Sequence, residues 1–253
     1  MTCGCLSPII PLAGGRPGGL LVVIPIGDDP RRRRFPFVML LLLLANTLVF
    51  LYELSMGNAV DVWVQSVGLI PVEVLSGRDV PPPAPGPVGV TLFTSMFVHG
   101  GFIHFGSNML YLWVFGDNVE DVLGHRRFLL FYFICGVTAN LTHVFMNPGS
   151  VVPSVGASGA IAGVLGGYLV LFPRAQVRML LFLGVFVTVT RISALLVIGF
   201  WFVSQLLSGL ASLEVETYQA SGVAVWAHIG GFIAGLVITI LLRPRVFIGR
   251  RSA

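Results

Sequence analysis

Lysine is absent from this chain, charged residues fill only 10% of its 253 positions, and cysteine occurs three times. A soluble domain carries about 25% charge, so this sequence cannot solvate an ordinary protein surface. Three cysteines give no disulfide framework. Cys3 and Cys5 sit in a Gly/Pro-rich lead and are too few for a structural zinc site, and Cys135 lies in an apolar run, where it reads as a small packed thiol. No His-Glu-x-x-His word is present, and no pair of aspartates falls in the middle of an apolar run. His99 and His104 are five residues apart, out of line on a helix, and no carboxylate joins them or His143 and His228. No metal or other cofactor is expected. Residues 1–24 lack the basic start and long apolar core of a signal peptide and read as a flexible lead.

Apolar residues, by contrast, make up 55% of the sequence, and the mean hydropathy is +0.91. Six runs approach the roughly 20 residues needed to cross a bilayer: about 35–54, 102–119, 127–146, 157–173, 191–212 and 226–242. The expected fold is therefore an all-α, polytopic, six-helix membrane bundle over 35–242, with a cytoplasmic lead (1–34) and a basic tail (243–253). The connection 55–101 carries Pro81-Pro82-Pro83-Ala84-Pro85-Gly86-Pro87, which excludes regular helix there. All fifteen cations are Arg. They gather at run ends: Arg31–Arg34, Arg126 and Arg127, Arg174, Arg178 and Arg191, and Arg243 onward. With six spans these share one side while the other holds only Arg78, which puts both termini in the cytoplasm of an inner or plasma membrane. The same clustering argues against nucleic acid as a partner and for the lipid bilayer. Val177–Thr190 is apolar but would reach only about 21 Å as helix, so an interfacial or re-entrant piece is expected.

Polar residues interrupt the apolar runs at three related places. Ser158 opens the fourth run, His228 opens the sixth, and His104 and Asn108 open the second. These runs all point the same way, so the four side chains fall at one depth near the outer surface. A serine hydroxyl needs a base, and neutral imidazole is the usual one. The N–H groups at a helix start can hold an oxyanion, and His104 and Asn108, four apart on one helix face, could donate to it. Asp117 and Glu120 lie about 20 Å or more along the axis from His104, so the chemistry would be that of a Ser–His dyad. Taken singly, the serine could be helix packing, the histidine a proton relay, and Asn108 interhelical glue. A transporter or proton-conducting channel, and a non-catalytic membrane adaptor that binds client helices, are the rival functions. Gly159, Gly163 and Gly167, and Ala227, Gly231 and Gly235, recur every four residues and suit close helix contact.

At Gly156-Ala157-Ser158-Gly159, Ala227-His228 with Gly231 and Gly235, His99-Gly-Gly-Phe-Ile-His104-Phe-Gly-Ser-Asn108, and Phe115-Gly116-Asp117-Asn118-Val119-Glu120 with Gly124, the chain resembles the rhomboid family of intramembrane serine proteases. The resemblance covers about 35–242. It implies Ser158 as nucleophile, His228 as general base, and His104, Asn108 and the Ser158 N–H as oxyanion hole. It further implies structural roles for His99 and Glu120, transmembrane proteins as substrates, and an outer loop lying on the membrane. Some members stack an aromatic ring under the histidine one turn beyond the serine, where this chain has Ala162. Packing or another ring, such as Phe232, must then orient His228. By the same resemblance a substrate would come in beside the fifth span under the cap 213–225. Phe200, Trp201 and Phe202 would then pack loosely against the second span as a movable gate, or else simply face lipid.

Overall fold

A computed structural model describes residues 21–183, 186–212 and 225–251. Helix α1 (Phe37–Ser55) is followed by an irregular outer segment with the short helices α2 (Val60–Val67), α3 (Pro71–Ser76) and α4 (Thr91–Thr94). Then come α5 (Phe102–Leu123), α6 (His125–Met146), α7 (Ser158–Leu171), α8 (Ala194–Ser212) and α9 (Val225–Arg251). The proline run 81–87 is free of helix, as rings without N–H groups dictate.

Among the described residues, three helices are long and apolar enough to cross a membrane: Phe37–Ser55, His125–Met146 and Val225–Leu242. A fourth is reached if Val88–Phe97 and Phe102–Leu123, bent by 81°, count as one span. Helix α7 has only 14 residues, about 21 Å of helix against a hydrocarbon core of about 30 Å. Its position explains how so short a helix is tolerated. Every residue from Ser158 to Tyr168 is buried, enclosed by α5, α6 and α9, so the helix meets protein rather than lipid. The outer helix α1 instead exposes Leu41, Leu44, Leu48 and Leu51, an apolar stripe suited to acyl chains. The apolar helices and exposed apolar faces are those of an integral membrane protein.

The chain is mostly helical but not all-α. Strands β1 (Leu21–Asp28), β2 (Gln176–Leu183) and β3 (Phe186–Ser193) form an antiparallel sheet in the order β1-β2-β3. Val177–Thr190, expected to be interfacial or re-entrant, thus supplies a hairpin. Its Val- and Thr-rich second half, Val187-Thr188-Val189-Thr190, favours strand over helix because branching at Cβ restricts χ1. The end of the lead is also ordered: residues 21–24, taken as part of a flexible segment, pair with 180–183. The earlier part of the lead, with Cys3 and Cys5, lies outside the described residues. So does most of the cap 213–225.

One end of α5 fastens these parts together. Glu120, buried, accepts the N–H groups of Val38 (2.9 Å) and Met39 (2.7 Å), and one of its oxygens meets His125 Nδ1 at 2.5 Å. The carboxylate thereby caps the first turn of α1, where N–H groups lack helical partners. Asp121 accepts the N–H groups of Arg33 and Arg34. Asp28, on β1, accepts Tyr168 Oη at 2.6 Å and Asn118 Nδ2 at 2.9 Å. Partial burial, with Asp117 and Asp29 nearby, raises its carboxyl from the ordinary 3.8 to about 6 against those hydrogen bonds.

Candidate active site

Close contact between α7 and α9 sets the site. A methyl group at Gly231 would overlap the Gly159 carbonyl, and one at Gly235 the Gly163 carbonyl. Only glycine lets the two backbones approach so far. The glycine stripe of α7 faces a second neighbour as well, since Gly159 lies against Ala139 and Gly163 against Cys135, both on α6. Cys135 is a buried, packed thiol.

This junction brings Ser158, first residue of α7, to His228 near the start of α9. Ser158 Oγ lies 2.7 Å from His228 Nε2, and both residues are buried. Across the site, His104 Nδ1 accepts the Gly100 N–H at 3.2 Å. A ring nitrogen that accepts is unprotonated, so neutral His104 carries its proton on Nε2. That Nε2 is buried and has no partner among the described residues. It points at Gly156, where an added Cβ would lie 2.6 Å from Nε2 and 3.6 Å from Ser158 Oγ. Gly156 has φ of 126°, a conformation that disfavours side chains. The space above Gly156 is thus flanked by a donor and by a hydroxyl.

Asn108 stands one turn along α5 from His104. Its Nδ2 donates to the His104 carbonyl at 2.8 Å, and its buried Oδ1 has no partner among the described residues. His99 Nδ1 donates to the Phe97 carbonyl at 3.1 Å, and its ring meets Phe50 and Phe105 edge-on. Its backbone N–H donates to buried Glu53 on α1. The outer segment is tied down by an antiparallel bridge between Leu69 and Ser154 and by the Gly156 N–H donating to the Ser95 carbonyl at 2.8 Å. Among the described residues no three His, Cys, Asp or Glu side chains gather as a metal set.

With Ala162 leaving no ring beneath His228, α8 supplies the neighbours. Trp201 lies 5.8 Å from the His228 ring, centroid to centroid, and Gln205 Oε1 is 2.7 Å from His228 Nδ1. Phe232, suggested as the orienting ring, instead stacks on Phe202 at 4.3 Å. The ring contacts of Trp201 and Phe202 run to α9, and Phe200 is 61% exposed. Gln205 escaped the sequence reading. Its available signal was an amide in an apolar run, where polar groups are expensive and need a purpose.

The family model described as "Rhomboid domain" matches residues 88–245. The chain belongs to the rhomboid family. It is 34% identical over 144 residues to rhomboid protease GluP of Bacillus subtilis (strain 168), covering 57% of this chain and 24% of GluP. Over 197 residues it is 28% identical to RHOMBOID-like protein 4 of Arabidopsis thaliana, covering 77% of this chain and 45% of that protein. Over 137 residues it is 31% identical to putative rhomboid protease YdcA of Bacillus subtilis (strain 168), covering 54% and 63%. The chain thus spans less than half the length of GluP and of RHOMBOID-like protein 4.

Proposed function

We propose that this chain is an intramembrane serine endopeptidase that cleaves transmembrane segments of other membrane proteins with a Ser158–His228 dyad. The observation that carries the proposal is the 2.7 Å contact between Ser158 Oγ and His228 Nε2 in a buried site. In the proposed reaction Oγ attacks the scissile carbonyl while Nε2 takes the hydroxyl proton. The oxyanion forms over Gly156 and receives His104 Nε2–H and the Ser158 N–H, with Asn108 beside it. His228 returns the proton to the leaving amine, and water reaching the site from the outer side hydrolyses the acyl-enzyme. His99 and Glu120 hold the framework, Gly156 leaves room beside His104, and Gly159, Gly231 and Gly235 hold the close approach of α7 and α9.

The proposed topology is six crossings with both termini cytoplasmic, α7 being the short central one, and a membrane domain over 35–242. In a background lacking Cys3, Cys5 and Cys135, Val80→Cys and Tyr218→Cys should react with an impermeant reagent from outside. Pro30→Cys and Ile248→Cys should stay protected; reaction of Ile248→Cys from outside would make the number of crossings odd.

The activity is tested by labelling with a fluorophosphonate and locating the adduct by mass spectrometry, alongside cleavage of a transmembrane reporter. The expected adduct is on Ser158. Ser158→Ala and His228→Ala should each abolish cleavage, and the double variant should be no worse than either, because the two act as one unit. Cleavage within tenfold of wild type in either variant would remove the dyad. Client binding without a cleavage product would favour an adaptor, and transport insensitive to Ser158→Ala would favour a transporter or channel.

A further inference from the structure

We propose that Gln205 is a positioning residue for His228, holding the ring with its proton on Nδ1 so that Nε2 faces Ser158 as an acceptor. This inference rests on the protease function proposed above. Trp201, Gln205 and Gly209 stand at i, i+4 and i+8 and so share one face of α8. At the far end of that face an added Cβ on Gly209 would lie 3.3 Å from both Ile229 Cδ1 and Val225 Cγ1. The missing side chain lets α8 lie close to α9. At the near end Trp201 is buried against the His228 ring. Gln205 sits between them, its Oε1 2.7 Å from Nδ1.

The orientation of the amide follows from its other neighbour. Ser204 Oγ donates to the Trp201 carbonyl at 2.6 Å, which leaves its lone pairs to accept Gln205 Nε2, at 3.5 Å. The amide nitrogen is thereby turned toward Ser204 and the oxygen toward His228. Because Oε1 has no proton to give, Nδ1 must carry one, and in neutral imidazole Nε2 is then the acceptor. That is the form able to take the Ser158 proton. When it does, Nδ1–H becomes part of an imidazolium and its hydrogen bond to Oε1 becomes charge-assisted. A neutral amide does this without adding a carboxylate to a buried site at membrane depth, where an ionised group is expensive. Trp201 adds the flat wall that Ala162 cannot provide.

The test begins with the imidazole ¹⁵N spectrum of the full-length protein in nanodiscs, the His228 signals being assigned by their loss in His228→Ala. Wild type should give the Nδ1–H tautomer, Gln205→Leu should lose that preference, and Gln205→Glu, which keeps an acceptor oxygen, should retain it. On a transmembrane substrate Gln205→Leu should lower kcat about 10- to 100-fold, the worth of one hydrogen bond to a charged group, with KM little changed. Gln205→Glu should recover most of that loss. An Nε2–H tautomer in wild type overturns the proposal, and this measurement needs no variant to fold. A wild-type kcat in Gln205→Leu, or an unchanged tautomer there, overturns it equally. The spectrum is recorded without substrate. Absence of a fluorophosphonate adduct on Ser158 would therefore remove the protease function while leaving the tautomer result to decide the role of Gln205.

Discussion

Replacing Gly231 by alanine inserts one methyl group where α9 meets the Gly159 carbonyl of α7. Backbone cannot yield as a flexible side chain can, so the helices must part by on the order of 1 Å to restore van der Waals contact. Gly159 follows Ser158 directly, and His228 lies three residues before Gly231, so the opening falls on the Ser158–His228 contact itself. A separation of 2.7 Å extended by that much, to about 3.7 Å, is too long for a hydrogen bond. Misplacement on this scale lowers rate by about 10²-fold, and overpacking destabilises by about 1–3 kcal/mol. The assay is reporter cleavage and fluorophosphonate labelling of purified protein, with thermal unfolding recorded in the same detergent. Gly199→Ala on α8 is the control, since an added Cβ there meets nothing within 4 Å. It should cleave normally. Activity of Gly231→Ala within threefold of wild type would show that the α7–α9 approach does not set the Ser158–His228 distance.

The remaining expectations concern the oxyanion site, the cap on α1 and the sheet. His104→Ala should reduce cleavage about 10²–10³-fold without preventing folding, and Asn108→Ala should lower it by less, because its Nδ2 is already held by the His104 carbonyl. Normal cleavage by both would place the oxyanion elsewhere. Glu120→Ala strips two N–H partners from the first turn of α1. A loss of about 2 kcal/mol of stability is expected, with Ser158 labelling retained well below the unfolding temperature; lost labelling of folded protein would contradict this. Asp28, with its folded pKa raised to about 6, binds its proton more tightly folded than unfolded. Its contribution to stability is therefore greatest below pH 4 and is lost as pH rises toward 6. Asp28→Asn should flatten that part of a stability–pH curve, and an unchanged slope would exclude Asp28 as its source.

The parts legible in the sequence were those with a strong periodic or chemical signature. Apolar runs marked the long helices to within a few residues, except that α9 continues past 242 to Arg251 into the expected basic tail, and glycines every fourth residue marked the contact between α7 and α9. Ser158, His228 and His104 were findable because polar side chains at helix starts stand out against apolar surroundings. The sheet was hidden for the opposite reason. Met179-Leu180-Leu181-Phe182-Leu183 is as apolar as a helix, and its pairing partner is a lead so rich in Gly and Pro that it read as unstructured. Strand pairing depends on a distant segment, which local composition does not announce. Gln205 was overlooked because its purpose exists only once α8 lies on α9. Trp201 and Phe202 drew notice as bulk, and their contacts with His228 and Phe232 became visible only in three dimensions.

Strand β1 ends at Asp28 and its partner β2 begins at Gln176, and that separation has a consequence for biosynthesis. At about 5–20 residues per second, ribosomal synthesis takes on the order of 10–30 s to make the partner after β1 has emerged. Throughout that interval β1 lacks the N–H and C=O partners that β2 provides, and for the first 92 of those 148 residues the first turn of α1 also waits for Glu120. Strand β1 is thus made well before the strand that locks it. A chaperone or degrading protease that captures nascent β1 would compete directly with final assembly, and a stalled chain ending before Gln176 would present that strand as an open edge.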